Sequence, residues 1–152
     1  RTIQPIAIAT TNDEGRKRKL RTAAYCRVST DSKEQETSFD SQVIYYSNLI
    51  ASTEDWELAG IYADPAVSGT SRRHRQEFNR MLYDCLHGKI DQIITKSMSR
   101  FARNKLDALA VIRLLNGLHP PVKIFFEDDH LSSDDFSAEI IRHLYPNVID
   151  SI

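Results

Sequence analysis

Four short apolar runs, at 20–28, 56–64, 91–95 and 122–128, are spaced so that each of the first three is followed by a segment whose apolar residues recur at helical intervals. No other feature constrains the fold as much. A strand that leads through a helix into the next strand pairs with it in parallel, and the crossover is right-handed. The pattern predicts an α/β domain with a mainly parallel central sheet.

The intervening segments carry their own start and stop signals. From Ser38 onward Phe39, Val43, Tyr46 and Ile50 lie on one helical face, with Ser or Thr available as a cap. Phe78, Met81, Leu82, Cys85 and Leu86 mark a second helix, closed by Gly88 where a left-handed C-cap costs least. A third runs from about Asn104 to Leu118 with a broad apolar face, and Pro120–Pro121 ends it. Farther on, Phe136, Ile140 and Leu144 suggest a short amphipathic helix interrupted by Pro146. Residues 1–19, with the charge run "RKRKLR" at 16–21, read as a flexible leader.

At 152 residues and 41% hydrophobic content the chain can bury one proper core. No apolar run approaches the roughly 18 residues that span a bilayer, and no signal core is present, so a cytoplasmic protein is expected. Cys26 and Cys85 read as small buried apolar residues, and the 5 histidines are scattered without ligand spacing. Neither a metal nor a cofactor is expected. The formal charge of −1 means that any grip on nucleic acid must come from a local cationic site or from another domain.

In a parallel sheet every strand-to-helix loop emerges at the carboxyl edge, where open α/β folds place their ligands. Three such loops carry reactive groups: "RVSTD" at 27–31, "DPAVSGTSRR" at 64–73 and "KSMSRFAR" at 96–103. Ser29 is the candidate nucleophile. None of the loops holds a histidine and no GxSxG elbow is present, which argues against a hydrolase triad. They hold Arg27, Arg72, Arg73, Arg100 and Arg103 instead, with Arg75 two residues past the second. A guanidinium is planar, permanently charged and shaped for phosphate oxygens, so a phosphodiester is the expected electrophile. Asp31 and Asp64 are placed to orient arginines or take a proton. Arg72 and Arg73 are read as solvated loop residues, Arg113 and Arg142 as exposed helix positions, and Tyr45, Tyr46 and Trp56 as core or rim aromatics rather than base-stacking platforms.

These stretches, "YCRVST" at 25–30, "FDSQ" at 39–42, "DPAVSGTS" at 64–71, "RQEFNRML" at 75–82 and "KSMSRFARN" at 96–104, occur in the order of the serine recombinase catalytic domain. The chain from about Leu20 to Ser133 resembles that resolvase and invertase family. It is most similar to the large-recombinase branch, because Ser99 stands where small resolvases usually carry aspartate. The resemblance implies a three-layer domain with a sheet of four or five strands flanked by helices. It implies that Ser29 attacks DNA beside Arg27 and Tyr25, that Gln42 supports the site, and that Asp64 and Ser68 lie near the phosphate. Arg75, Arg100 and Arg103 would be the phosphate-binding arginines.

By the same resemblance, cleavage leaves a 5′-phosphoserine and a free 3′-hydroxyl, and rejoining needs no metal or cofactor. The partners would be double-stranded DNA and further copies of the chain, as homodimer and homotetramer, in strand exchange that integrates or excises a mobile element. The general base stays open. Residues 134–152 do not resemble the family's long dimerisation helix and read as a short tail, truncated or atypical. The rival readings are a non-catalytic interaction module of the same fold and a hydrolase of small phosphate esters.

Overall fold

A computed structural model describes residues 18–28, 38–65, 75–102, 105–128 and 130–132. The elements run β1 (Leu20–Val28), α1 (Phe39–Ser52), β2 (Trp56–Pro65), α2 (Gln76–Leu86), β3 (Gln92–Thr95), α3 (Met98–Phe101), α4 (Lys105–Asn116), β4 (Lys123–Phe126) and β5 (Leu131–Ser132). The strands form one sheet in the order β2-β1-β3-β4-β5. The first four are parallel, and the two-residue β5 closes the edge antiparallel to β4. The α/β fold with a mainly parallel sheet is as expected.

The near-continuous apolar character of β1 follows from its central place, since a strand covered on both faces has no polar side. Ala23 and Tyr25 point into the larger core, shared with Phe78, Met81 and Cys85 of α2, Phe101 of α3, and Leu109, Ile112 and Leu115 of α4. Ala24 and Cys26 point the other way, into a smaller core with Tyr46 and Ile50 of α1 and Ile94 of β3. Three layers result: α1, the sheet, and α2 to α4. Cys26 and Cys85 are both buried free thiols, and burial pushes each up to about 12, so neither is a ready nucleophile.

Most of the helix ends follow local chemistry. The Oγ of Ser38 accepts from the Ser41 N–H at 3.2 Å and caps α1. Gly88 takes φ 73° just beyond α2, where its N–H donates to Cys85 O. A side chain there would be strained although nothing crowds it, so Gly88→Ala should lower stability by about 1 kcal/mol in urea titration. The start of α2 has no cap of its own: Arg75 occupies the position and makes no capping bond.

The third strand begins at Gln92, one residue after the expected start, and Asp91 just before it carries a set of side-chain bonds. Its carboxylate accepts from the Arg21 backbone N–H at 2.8 Å, from Arg21 Nε and Nη2, and from Arg18 Nη1. This latch closes the amino edge of β1 onto β3. Burial favours the neutral acid, but the Arg21 hydrogen bonds outweigh it and hold the Asp91 carboxyl below its ordinary value. Asp91→Ala should cost about 2 kcal/mol at neutral pH. A depressed folded pKa gives stability that is present above the unfolded value of about 3.9 and is lost as pH falls through the folded one. Urea midpoints of variant and parent should therefore converge in acid; a gap that is constant from neutral pH to strong acid would contradict the latch.

The third helix is two residues shorter at its far end than expected, and α3 is a single turn the apolar pattern does not reveal. The leader and the tail helix around Phe136, Ile140 and Leu144 lie outside the described residues.

Candidate active site

The carboxyl end of β1 supplies the first two groups. Tyr25 is buried, with its ring edge-on to Phe78 at 5.0 Å and to Phe101 at 6.4 Å. Its hydroxyl donates to Asp64 Oδ2 at 2.9 Å. Burial pushes that hydroxyl well above the usual phenol range, so it remains a donor. Arg27, two residues on, shares this face of the sheet by pleat alternation and is in register with Asp64 on β2.

Asp64 is the keystone of the arrangement. Buried at the end of β2, its Oδ1 accepts from the Glu77 N–H at 2.9 Å and its Oδ2 from the Phe78 N–H at 3.0 Å. It therefore caps α2 from another strand and fixes where that helix begins. Arg75 stands immediately before that start. Its guanidinium lies 3.7 Å from the Phe78 ring centroid, and its Nη2 donates to the carbonyl of Phe101. Asp64 makes no ion pair with an arginine among the described residues; its contacts are the Tyr25 hydroxyl and the first backbone N–H groups of α2, next to Arg75 in sequence.

The third arginine comes from α3. Ser97 caps this turn by accepting from the Arg100 N–H at 3.3 Å, and Arg100 Nη1 donates to Arg27 O at 3.2 Å. Arg27, Arg75 and Arg100, from three elements, are tied together at one sheet edge. Among the described residues none of them pairs with a carboxylate, and the Nε atoms of Arg27 and Arg75 are buried without a hydrogen-bond partner. A buried N–H left unpaired costs about 1–3 kcal/mol, and an anion brought to this edge could take several such donors at once.

Of the other expected site residues, Ser29, Ser68 and Arg103, with Asp31, Arg72 and Arg73, lie outside the described residues. In sequence, Ser29 directly follows the last residue of β1 and Arg103 follows Ala102. Gln42 lies in the first turn of α1. It lines a pocket of about 500 Å³ with Ser41, Tyr45, Tyr46, Lys96, Glu127 and Asp128, between α1 and the ends of β3 and β4. Glu127 was not singled out by the sequence, although it accepts from both tyrosine hydroxyls. The adjacent pair Tyr45–Tyr46, one exposed and one buried, is the only signal pointing there. Tyr46 belongs to the core and Tyr45 to its rim, as expected. Among the described residues no group of three or more His, Cys, Asp or Glu could hold a metal ion, and no helix is long and apolar enough to cross a membrane.

The family model described as Resolvase, N terminal domain matches residues 22–145. No curated protein matches the chain. Among solved structures, a resolvase family site-specific recombinase from Streptococcus pneumoniae is 26% identical, with TM-score 0.64, over 88% of this chain and 89% of that one. The N-terminal catalytic domain of TP901-1 integrase is 18% identical with TM-score 0.60, over 86% of this chain and 92% of that one. The C-terminal catalytic domain of ISC1926 TnpA, an IS607-like serine recombinase, is 17% identical with TM-score 0.57, over 71% and 69%. The last two likenesses are of fold alone.

Proposed function

Because this chain belongs to the resolvase family and has the fold of a serine recombinase catalytic domain, we propose that it cleaves and rejoins DNA with Ser29 as nucleophile. The observation that carries the reading is the trio of arginines, two with buried unpaired Nε atoms, at the end of the strand that leads directly into Ser29.

The chemistry follows from that placement. The Ser29 Oγ forms a bond to phosphorus as the bond to the 3′-oxygen breaks; the serine proton leaves to a base, and the 3′-oxygen takes a proton from a general acid or water and departs as a hydroxyl. Negative charge grows on the non-bridging oxygens in the transition state. Guanidinium donors already held at that edge stabilise it without reorganising. The product is a 5′-phosphoserine ester, so attack by a 3′-hydroxyl can reseal DNA with no external energy source. Arg103 and Ser68 would add donors to the same phosphate, and Tyr25 and Asp64 would hold the frame. Double-stranded DNA is the substrate in this reading, and homodimers pairing into a tetramer are its working form. The "KSMSRFARN" segment with Ser99 supports assignment to the large branch.

The test is to locate the covalent bond. The chain, fused to a DNA-binding module to raise its local concentration on duplex substrate, is quenched with denaturant and digested with trypsin. The peptide Val28–Lys33 should carry a nucleotide on Ser29, joined through a 5′-phosphate. Attachment through another residue, or release of inorganic phosphate from small esters without any adduct, would replace this reading.

A further inference from the structure

The half of α1 nearest the site is held by polar contacts. Between Phe39 and Tyr45 no side chain is buried, and Phe39 and Ile44 are exposed, so apolar packing anchors the helix only from Tyr46 onward. One carboxylate of the sheet grips the front of the helix twice. Tyr45 Oη donates to Glu127 Oε2 at 2.5 Å and Tyr46 Oη donates to Glu127 Oε1 at 2.7 Å, across 82 and 81 residues of sequence. Glu127 is itself fixed, since its backbone N–H donates to Thr95 O at 3.0 Å and the next N–H, of Asp128, donates to Lys96 O at 2.7 Å. The carboxylate is therefore a rigid extension of β3 and β4.

Helical geometry links this clamp to Gln42. Residues three and four apart share a face, so Gln42, Tyr45 and Tyr46 form one stripe, and the three line the same pocket as Glu127. Two phenols gripping the two oxygens of one carboxylate fix both the tilt and the rotation of the helix. A single bond would leave one of these free. The phenols keep their protons: hydrogen bonding to Glu127 pushes Tyr45 up to about 12, and burial with the Glu127 bond pushes Tyr46 higher.

We propose that Glu127 is a positioning residue, clamping Tyr45 and Tyr46 so that the first turns of α1 hold Gln42 in register with the reacting strand end. This rests on the recombinase reading above. It assigns the pocket between α1, β3 and β4 to site alignment, with Glu127 acting through the helix rather than on DNA.

The test uses Tyr45→Phe, Tyr46→Phe and the double variant, which remove hydroxyls and keep the rings, with Glu127→Ala and Glu127→Gln. The double variant should form the Ser29 adduct on the order of tenfold more slowly at saturating DNA, with unchanged DNA affinity. Glu127→Gln, which keeps an acceptor, should recover part of the rate lost in Glu127→Ala. In a Gln42→Ala background the tyrosine changes should have no further effect on rate. A wild-type rate in the double variant, or losses that multiply with Gln42→Ala, would overturn the proposal while leaving the recombinase reading in place. Hydrogen exchange judges the clamp even if no adduct forms. Amides of residues 42–46 should exchange about tenfold faster in the double variant, with the rest of α1 and the sheet unchanged. Equal exchange there would also overturn it.

Discussion

Alanine at Ser29 is expected to abolish covalent attachment to DNA, whereas alanine at Arg100 or Arg75 should leave a residual rate about a thousandfold below the parent. The difference is one of kind. Removing the nucleophile removes the atom that forms the bond; removing an arginine removes one preorganised donor from a transition state that others still stabilise. Lysine at Arg75 should be nearly as damaging as alanine, because an ammonium cannot lie flat on Phe78, bond the Phe101 carbonyl and also present a second planar N–H. Arg27 adds a stability signature. Its Nε is buried and unpaired and its Nη2 reaches Pro65 O only at 3.5 Å, so the fold gains little from its charge. Arg27→Met should leave the urea midpoint unchanged or raised while the adduct is lost, as expected where function holds a charge against stability. Single-turnover trapping on duplex DNA, with circular dichroism as a control for folding, measures the set. Undiminished adduct in Ser29→Ala, or a parental rate in Arg100→Ala, would remove these groups from their roles.

The parallel sheet was legible because β1 reads apolar on both faces and because a segment of helical period separates each of the first three strands from the next. Cap chemistry at Ser38 and Gly88 is local, so it too could be read directly. What could not be read was any arrangement made across the sheet. Arg75 could be named a site residue from its motif, but the motif does not reveal that Asp64 starts α2 immediately after it. Asp91 looks like a strand residue until the Arg21 backbone is found on its carboxylate. Glu127 lies more than eighty residues from the tyrosines it binds, a distance no periodicity spans. The single turn of α3 escaped because four residues, Met98–Phe101, are too few to show a period. Composition did carry one lesson through: a net charge of −1 on the whole chain coexists with three arginines at one edge that make no ion pair among the described residues, so the sum of charges says little about where the field is concentrated.

The second large effect is predicted at Asp64, where stability and site geometry share one side chain. Asp64→Ala would strip three donors of their acceptor at once: the buried Tyr25 hydroxyl and the Glu77 and Phe78 N–H groups. Loss of a helix cap costs about 1 kcal/mol, and a buried hydroxyl without a partner costs about 1–3 kcal/mol. Together these amount to roughly 3 kcal/mol, or a fall of about 6–12 °C in Tm for a domain of this size. Tyr25→Phe should cost less, about 1 kcal/mol, because it removes the hydroxyl and leaves Asp64 with both backbone donors. The two changes should be less than additive, since Tyr25→Phe abolishes the orphaned hydroxyl that makes Asp64→Ala expensive. Thermal melts of the four proteins in this cycle check the numbers. Cleavage should follow a different order: Tyr25→Phe keeps the cap on α2 and therefore keeps Arg75 in place, so its adduct rate should stay near the parent, whereas Asp64→Ala should lose rate even at temperatures where it is fully folded. Equal rates in the two single variants would mean that Arg75 finds its position without the cap, and that Asp64 serves the fold alone.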